Sequence, residues 1–342
     1  MKVSLLPASA LLMLLTWNVS AESDFAYKKQ IDRHPEALEI IEAREMKLLL
    51  DPNKVGYSPE IGLHKIWDKV KAFAESNNLT IQEKPYNFDG LTYSTKVYYD
   101  TVDKQLAKQG YLVRITTKYL QGQPASSALT VKYLDRNHPE RVFGAMLDEE
   151  DAALEENVGP AHNYQLDTYL EKSLKVDADP SSLPSTFGEF AELAPLLSEL
   201  SIAHDIELIG TGVYSIRMKP GYVVLPGLPF PSGISMEAWL PIDSGEQALI
   251  YDFSFGYPTG DYYDMESTHI AAESFMQKLY QHVDTTLGLK DNPKWRGSKA
   301  SFLRNSGLEI PPFKNLKASD LRFYKAPKPL PDGTVAFNDD PS

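Results

Sequence analysis

The stretch Val213–Lys219 reads VYSIRMK, and apolar and polar side chains alternate in it from Tyr214 onward. Successive side chains of a β-strand point to opposite faces, so Ser215, Arg217 and Lys219 would share one face and Tyr214, Ile216 and Met218 the other. A single half-buried strand also alternates in this way. Several other short segments repeat the pattern, mostly with basic residues at the polar positions. The repetition predicts a sheet that turns one charged face toward an anionic partner.

The same period occurs around Glu45 and over Tyr111–Tyr119, Ala128–Leu134 and Ala248–Phe255. If the polar faces converge, six basic side chains would line the interior: Lys47, Arg114, Lys118, Lys132, Arg217 and Lys219. The acidic side chains facing them would be Glu45, Glu237 and Asp252. Buried charges are costly unless they are paired or neutralised, and a phosphate-bearing or polycarboxylate ligand would neutralise this excess of cations. The alternative is that each segment is a solvent-facing strand whose surface charges are unrelated.

The composition is that of a folded, acidic protein. The chain has 342 residues, of which 42% are hydrophobic, so it can form one large or two medium domains with a real core. Its formal net charge is −13, which makes it a poor general binder of nucleic acid or anionic membranes. The absence of cysteine excludes disulfides, thiol nucleophiles and Cys-ligated zinc.

The residues up to Ala21 have the pattern of a signal peptide. Lys2 gives a minimal positive region, Leu5–Leu15 an apolar stretch, and Val19–Ala21 the small residues that precede a cleavage site. A membrane anchor is the alternative, but the apolar run is shorter than the roughly 20 residues of a span. We therefore expect cleavage after Ala21 and export to the periplasm or the medium, with no stable membrane span afterwards.

The rest of the chain is predicted to form one barrel domain at 22–290 and an extended tail at 291–342, which is rich in Pro, Lys and Asp. Apolar residues recur at helical spacing in four segments: 58–77, 164–174, 190–200 and 265–287. The two middle segments make the section from about 148 to 203 a helical insertion, with a break near Pro195. The histidines show no metal-ligand spacing, and the sequence contains no P-loop and no G-x-S-x-G motif.

One segment carries a more specific motif. Tyr98–Thr101 reads YYDT and is followed by Leu106, Gly110 and the stretch LVRI at Leu112–Ile115. This succession closely resembles the CYTH family of triphosphate tunnel enzymes, in which YYDT is followed by L…G..LRIR.

The order of further motifs is similar to that of the family. Leu129–Lys132 resembles the family's next strand, Ala43–Lys47 its opening E-x-E-x-K strand, and Asp252–Ser254 its last E-x-E strand. The resemblance covers roughly 42–287. It implies an α+β fold, in which helices flank an antiparallel β-barrel whose tunnel binds a triphosphate. It also implies one or two Mg²⁺ or Mn²⁺ ions, for which Glu45, Glu237 and Asp252 would be the ligands. The family's activities include hydrolysis of thiamine or inorganic triphosphate, RNA-capping triphosphatase activity and adenylate cyclisation.

The chain departs from the family pattern mainly at acidic positions. Ala43 replaces the first glutamate of the opening strand, and Thr116 replaces the second arginine of LRIR. An R-x-E-x-E strand is expected after Lys132, but Arg141–Ala145 has no acid at the expected places. Hard cations need several oxygen ligands. The sequence therefore favours a barrel that binds a small phosphorylated or polyanionic ligand, and no nucleic acid, without catalysis. A metal-dependent triphosphatase or polyphosphatase and a structural envelope protein are the alternatives.

Overall fold

The computed structural model describes residues 41–56, 58–84, 90–135, 141–142, 152–161, 165–241, 247–259, 266–286, 299–300, 313–314, 328–329 and 335–336. The strands are β1 Ala43–Leu50, β2 Ile81–Glu83, β3 Thr92–Asp100, β4 Tyr111–Leu120, β5 Gln123–Tyr133, β6 Ala153–Pro160, β7 Leu166–Ala178, β8 Ile209–Met218, β9 Gly221–Val223, β10 Ser232–Pro241, β11 Ile250–Pro258, β12 Phe313–Lys314, β13 Lys328–Pro329 and β14 Val335–Ala336. The helices are α1 Pro52–Val55, α2 Pro59–Ser76, α3 Gln105–Lys108, α4 Phe187–Leu193 and α5 Glu266–Thr286, and a 3₁₀ turn occupies Pro195–Glu199.

Nine of the strands close into a barrel, which confirms the predicted fold class. The order around the barrel is β8-β3-β4-β5-β7-β6-β1-β11-β10, and β10 pairs with β8 to complete the ring. Neighbouring strands of the ring are antiparallel except β1 and β6, which run parallel. The barrel is therefore mixed rather than wholly antiparallel as predicted.

The two faces of the barrel wall differ in chemistry. The outer face is apolar and packs against helices, with α2 and α5 over one side and α3, α4 and the 3₁₀ turn over the other. Apolar burial of this kind is the main favourable term in folding. The polar positions alternate with the apolar ones and face the lumen, as the alternation in the sequence predicts.

A glycine allows one helix to lie close against the barrel. A Cβ atom on Gly62 of α2 would lie 2.2 Å from the hydroxyl oxygen of Tyr251 on β11. Because Gly62 has no Cβ atom, the Tyr251 side chain fits against the helix. Its hydroxyl donates to the carbonyls of Gly56 at 2.8 Å and Ser58 at 2.9 Å. The contact joins the start of α2 to the barrel wall.

The predicted helical insertion is wrong over its first part. The segment predicted as a helix at 164–174 is strand β7, and β6 precedes it, so this section contributes two strands to the barrel. Leu166, Leu170 and Leu174 are buried on one face. A spacing of four residues places side chains on one face of a helix and of a strand alike, so this spacing does not distinguish them. The second part is helical, and α4 ends at Leu193, just before Pro195.

Other predictions fall partly or wholly outside the described residues. Helices α2 and α5 confirm the predictions at 58–77 and 265–287 within one or two residues at the described ends. The predicted signal peptide at 1–21 and the acidic run at 148–151 lie outside the described residues, as does most of the predicted tail at 291–342. Among the described residues, no helix combines the length and apolarity that a membrane crossing needs.

Candidate functional site

Most of the described cations in the lumen are paired with carboxylates. Lys47 on β1 lies 2.8 Å from Glu45 of the same strand and donates to Asn157 Oδ1 at 2.5 Å. Lys132 on β5 pairs with Glu171 on the neighbouring strand β7. Each of these cations has a carboxylate within contact distance, so neither is free to serve as an unopposed anion site.

A second cluster joins four charged groups from distant parts of the chain. Glu237 on β10 accepts from Lys96 on β3 through Oε1 and from Lys299 through Oε2. Lys299 Nζ also lies 2.8 Å from Asp252 Oδ2 on β11. Both carboxylates are buried, with 3% and 2% of their side chains exposed. Two ammonium groups thus balance two carboxylates, which is the arrangement that makes buried charge tolerable.

Arg114 is the lumen cation that lacks such a partner. It forms no ion pair with any carboxylate that the structure describes, and its Nη2 donates a long hydrogen bond of 3.4 Å to Thr130. Its guanidinium lies 5.9 Å from the ring centroid of Tyr98. Its Nε is buried without a hydrogen-bond partner among the described residues, as is Nε1 of Trp239. The ring of Trp239 lies 5.9 Å from the ring of Tyr98, so the two unsatisfied donors share one region of the lumen.

One end of the barrel is open and basic. A cavity of about 440 Å³ opens there, lined by both acidic and basic groups and by hydroxyls, among them Glu45, Glu155, Arg217, Ser235 and Ser254. Arg217 Nε donates to Ser235 Oγ at 2.7 Å.

Three further cations surround Arg217 at this open end. Lys219 lies just past the end of β8, two residues after Arg217, and Lys118 comes from β4, with strand β3 between β4 and β8. Lys84 reaches the same place because its backbone N–H donates to the carbonyl of Pro220 at 2.8 Å. Arg217 is the main cause of a lowered pKa at Lys219, with smaller contributions from burial, Lys84 and Lys118. None of these four cations pairs with a carboxylate in the part of the chain that the structure describes.

The surroundings in the lumen raise the pKa of some charged side chains and lower the pKa of others. Burial alone would raise the pKa of Glu45, but Lys47 and other cations more than offset this and lower it to about 2. Burial raises the pKa of Glu155, and the nearby Glu45 and Glu171 raise it further. Burial is also the main reason that the pKa of Lys96 falls to about 7. In the cavity, Glu45 therefore stays ionised, while the neighbouring Glu155 binds a proton more readily than an ordinary glutamate.

The predicted metal ligands do not form a site that suits a divalent ion. No group of three or more His, Cys, Asp or Glu side chains among the described residues converges as metal ligands would. Glu237 and Asp252 instead contact Lys299, and Glu45 contacts Lys47. Mg²⁺ and Mn²⁺ require several oxygen ligands at one point. The arrangement described here does not fit either ion.

The structure brings together only half of the six predicted cations. Lys47, Arg114 and Lys132 face the interior of the barrel. Lys118, Arg217 and Lys219 are exposed at its open end. Their role in binding a ligand stays a prediction.

Four charged lumen residues were not predicted from the sequence: Lys96, Glu155, Glu171 and Lys299. The signal for Lys96 was present, because it alternates with Ser94 and Tyr98 along a predicted strand. The two glutamates lie in the section that was predicted as helical. With them, the described residues place five cations and five carboxylates in the interior, without the expected excess of three positive charges. The cations are Lys47, Lys96, Arg114, Lys132 and Lys299, and the carboxylates are Glu45, Glu155, Glu171, Glu237 and Asp252.

The YYDT motif acquires a physical role in the structure. Tyr98 faces the lumen beside Arg114, and Tyr99 packs on the outer face with its ring 4.9 Å from that of Phe190. Asp100 accepts from the backbone N–H of Leu106 at 2.9 Å, at the start of α3. The motif thus fixes the turn from β3 into α3 and sets the face on which Arg114 meets Tyr98.

No protein-family model matches the chain, and no curated protein matches it. Three solved structures are similar to it over most of its length. A putative adenylyl cyclase from Hippeastrum, described as having a dominant triphosphatase activity, is 14% identical with a TM-score of 0.43, and the match covers 78% of this chain and 97% of that one. A putative adenylate cyclase from Bacillus halodurans is 15% identical with a TM-score of 0.35, covering 76% and 98% of the two chains.

A putative adenylate cyclase from Vibrio parahaemolyticus is 11% identical with a TM-score of 0.32, covering 76% of this chain and 97% of that one. At such identities and TM-scores the similarity assigns no activity to this chain. What the chain binds therefore has to be argued from its own residues.

Proposed function

We propose that the barrel binds a small phosphorylated or polyanionic ligand, which enters past Arg217 and contacts Arg114 inside the lumen. The observation that carries this proposal is Arg114 itself, a lumen cation without a described carboxylate partner and with an unsatisfied buried Nε. An unmade hydrogen bond at a buried donor costs free energy, and a charge-assisted bond to a phosphate oxygen would satisfy it. Trp239 Nε1 offers a second donor nearby.

The open end supports the same proposal. The four cations at that end lack described carboxylate partners, in a chain whose net charge is −13. Cations on the rim of a cleft raise the local concentration of an anion and speed its entry. They would select anions before the ligand reaches the paired charges of the interior.

Calorimetric titration of the full chain with tripolyphosphate tests this proposal. We expect saturable binding, weakened about tenfold or more in Arg114→Gln, because a hydrogen bond to a charged group contributes about 1.5–3 kcal/mol. Lys108→Gln is the matched control, since Lys108 is an exposed cation on α3 that loses the same charge. Absence of binding by the parent chain, or equal weakening in both variants with the thermal midpoint unchanged, would refute the proposal and leave a structural role.

A phosphoanhydride hydrolase is the second candidate. Glu155 favours it, because this carboxylate lies in the cavity beside Glu45 without an ion pair among the described residues. Phosphate release from tripolyphosphate with Mg²⁺ or Mn²⁺ tests it. Release that Glu45→Gln abolishes would establish hydrolysis, and release at the buffer rate would exclude it.

Export also stands as a proposal. It is supported by the pattern of residues 1–21 alone. N-terminal sequencing of the protein recovered from its native cells should begin at Glu22, and a chain that retains Met1 would contradict export by cleavage.

A further inference from the structure

The carboxylate pair Glu237–Asp252 already has a cation between its two members. Lys299 Nζ lies 2.8 Å from Asp252 Oδ2 and pairs with Glu237 Oε2 as well. The Lys299 side chain is only 22% exposed, so its ammonium lies inside the barrel with the carboxylates. The family resemblance had assigned these two acids to a divalent metal.

We infer that Lys299 is the resident counter-ion of this carboxylate pair, and that its ammonium takes the place of a divalent cation there. Three of the four carboxylate oxygens are engaged by donors of the chain. Glu237 Oε1 accepts from Lys96 and Ser215, Glu237 Oε2 from Lys299, and Asp252 Oδ2 from Lys299. Only Asp252 Oδ1 lacks a partner among the described residues. One free oxygen does not make a site for Mg²⁺, which demands near-octahedral oxygen coordination.

The charge balance supports the same assignment. Lys299 carries one positive charge and Lys96 part of a second near neutral pH, so together they offset most of the negative charge of Glu237 and Asp252. A divalent ion added to this set would leave more than one positive charge uncompensated in a buried place, which is strongly unfavourable.

The aromatic neighbour also suits an ammonium. Lys299 Nζ lies 5.6 Å from the ring centroid of Trp239, and Lys96 Nζ lies 5.8 Å from it. An ammonium near the face of an indole gains a cation–π attraction. Trp239 therefore stabilises both ammonium groups beside the acid pair. The inference depends on these contacts alone and does not require the proposed ligand.

Metal titration and thermal unfolding of the full chain test the inference. Electron paramagnetic resonance measures the free Mn²⁺ that remains after it is mixed with the protein. We expect the same signal with the parent and with Asp252→Asn, because Asp252 does not bind Mn²⁺ in the parent. Lys299→Ala should lower the thermal midpoint in metal-free buffer, because it leaves a buried carboxylate unpaired. Addition of Mn²⁺ should raise the midpoint of Lys299→Ala and leave that of the parent unchanged.

Lys278→Ala is the control for loss of a lysine, since Lys278 is exposed on α5, and Lys299→Arg is the control that keeps the positive charge. Saturable Mn²⁺ binding by the parent that Asp252→Asn abolishes would overturn the inference. A Lys299→Ala protein with the thermal midpoint of the parent would also overturn it. If Lys299→Ala fails to fold, the comparison of the parent with Asp252→Asn still decides between an ammonium and a metal.

Discussion

At the scale of single residues, Lys96 shows how crowding of like charge alters a functional group. It contacts Glu237, which favours its charged form, but burial and the nearby Lys299 and Arg114 disfavour it. The balance lowers the pKa of Lys96 to about 7. Its ammonium is therefore only partly protonated near neutral pH, unlike an exposed lysine.

Binding of tripolyphosphate should cause Lys96 to take up a proton. An added anion favours the charged form of the amine and raises its pKa, so part of a proton should be bound per ligand at pH 7.5. Calorimetry in buffers of different ionisation enthalpy measures this uptake. Lys96→Arg is the control, because a guanidinium stays protonated and contributes no uptake. Equal proton uptake by the parent and Lys96→Arg would contradict the prediction.

At the scale of elements, a buried arginine joins α5 to the barrel. Arg44 lies on the outer face of β1 with no exposed side-chain surface. It pairs with Glu156 on β6, donates to Glu273 on α5 at 2.7 Å and donates to Tyr257 on β11 at 3.1 Å. Its neighbour His269 on α5 lies 3.3 Å from Arg44 Nη1. One side chain thus joins three strands and a helix without entering the lumen.

Arg44→Met should destabilise the fold by about 3–5 kcal/mol, because removing one partner leaves buried carboxylates without their counter-charge. Urea unfolding followed by circular dichroism measures the loss. Lys71→Met is the control, since it breaks an exposed ion pair with Glu83 and should leave the midpoint unchanged. A loss below about 1 kcal/mol for Arg44→Met would show that the network contributes little to stability.

The elements also show where the sequence was informative. The alternation of apolar and polar residues predicted strand β8 and the side of it on which Arg217 lies. The pair Ser58–Pro59 predicted the start of helix α2. The spacing of Leu166, Leu170 and Leu174 did not distinguish β7 from a helix, because both place every fourth residue on one face.

At the scale of the whole molecule, charge is segregated. The chain has a net charge of −13, while its lumen and its open end hold basic groups from five strands, from the stretches after β2 and β8 and from Lys299. A polyanion approaching other parts of the protein is repelled, and one approaching the open end meets Arg217 and its neighbours. This arrangement favours small anions that can enter over large ones that must lie along the surface.

A 20-base-pair DNA duplex should therefore show no binding at about 0.15 M salt and 10 μM protein. Non-specific binders reach dissociation constants of about 10⁻⁴ to 10⁻⁶ M through extended phosphate contacts, and the acidic surface of this protein opposes such contacts. Fluorescence anisotropy of the labelled duplex measures this, with tripolyphosphate binding as the positive control. A micromolar dissociation constant that weakens steeply with salt would contradict the prediction.

The sequence by itself determined the polar and apolar faces of strands such as β4 and β8 and the extent of helices α2 and α5. These follow from local periodicity and from turn chemistry, which act over a few residues. Only the tertiary structure decided which charges are satisfied, because Lys96 meets Glu237 and Lys299 meets Asp252 through the closure and register of the barrel. Pairing across the lumen leaves no local pattern, so a lumen that looks cationic in the sequence is balanced in the fold, with Arg114 as its exception.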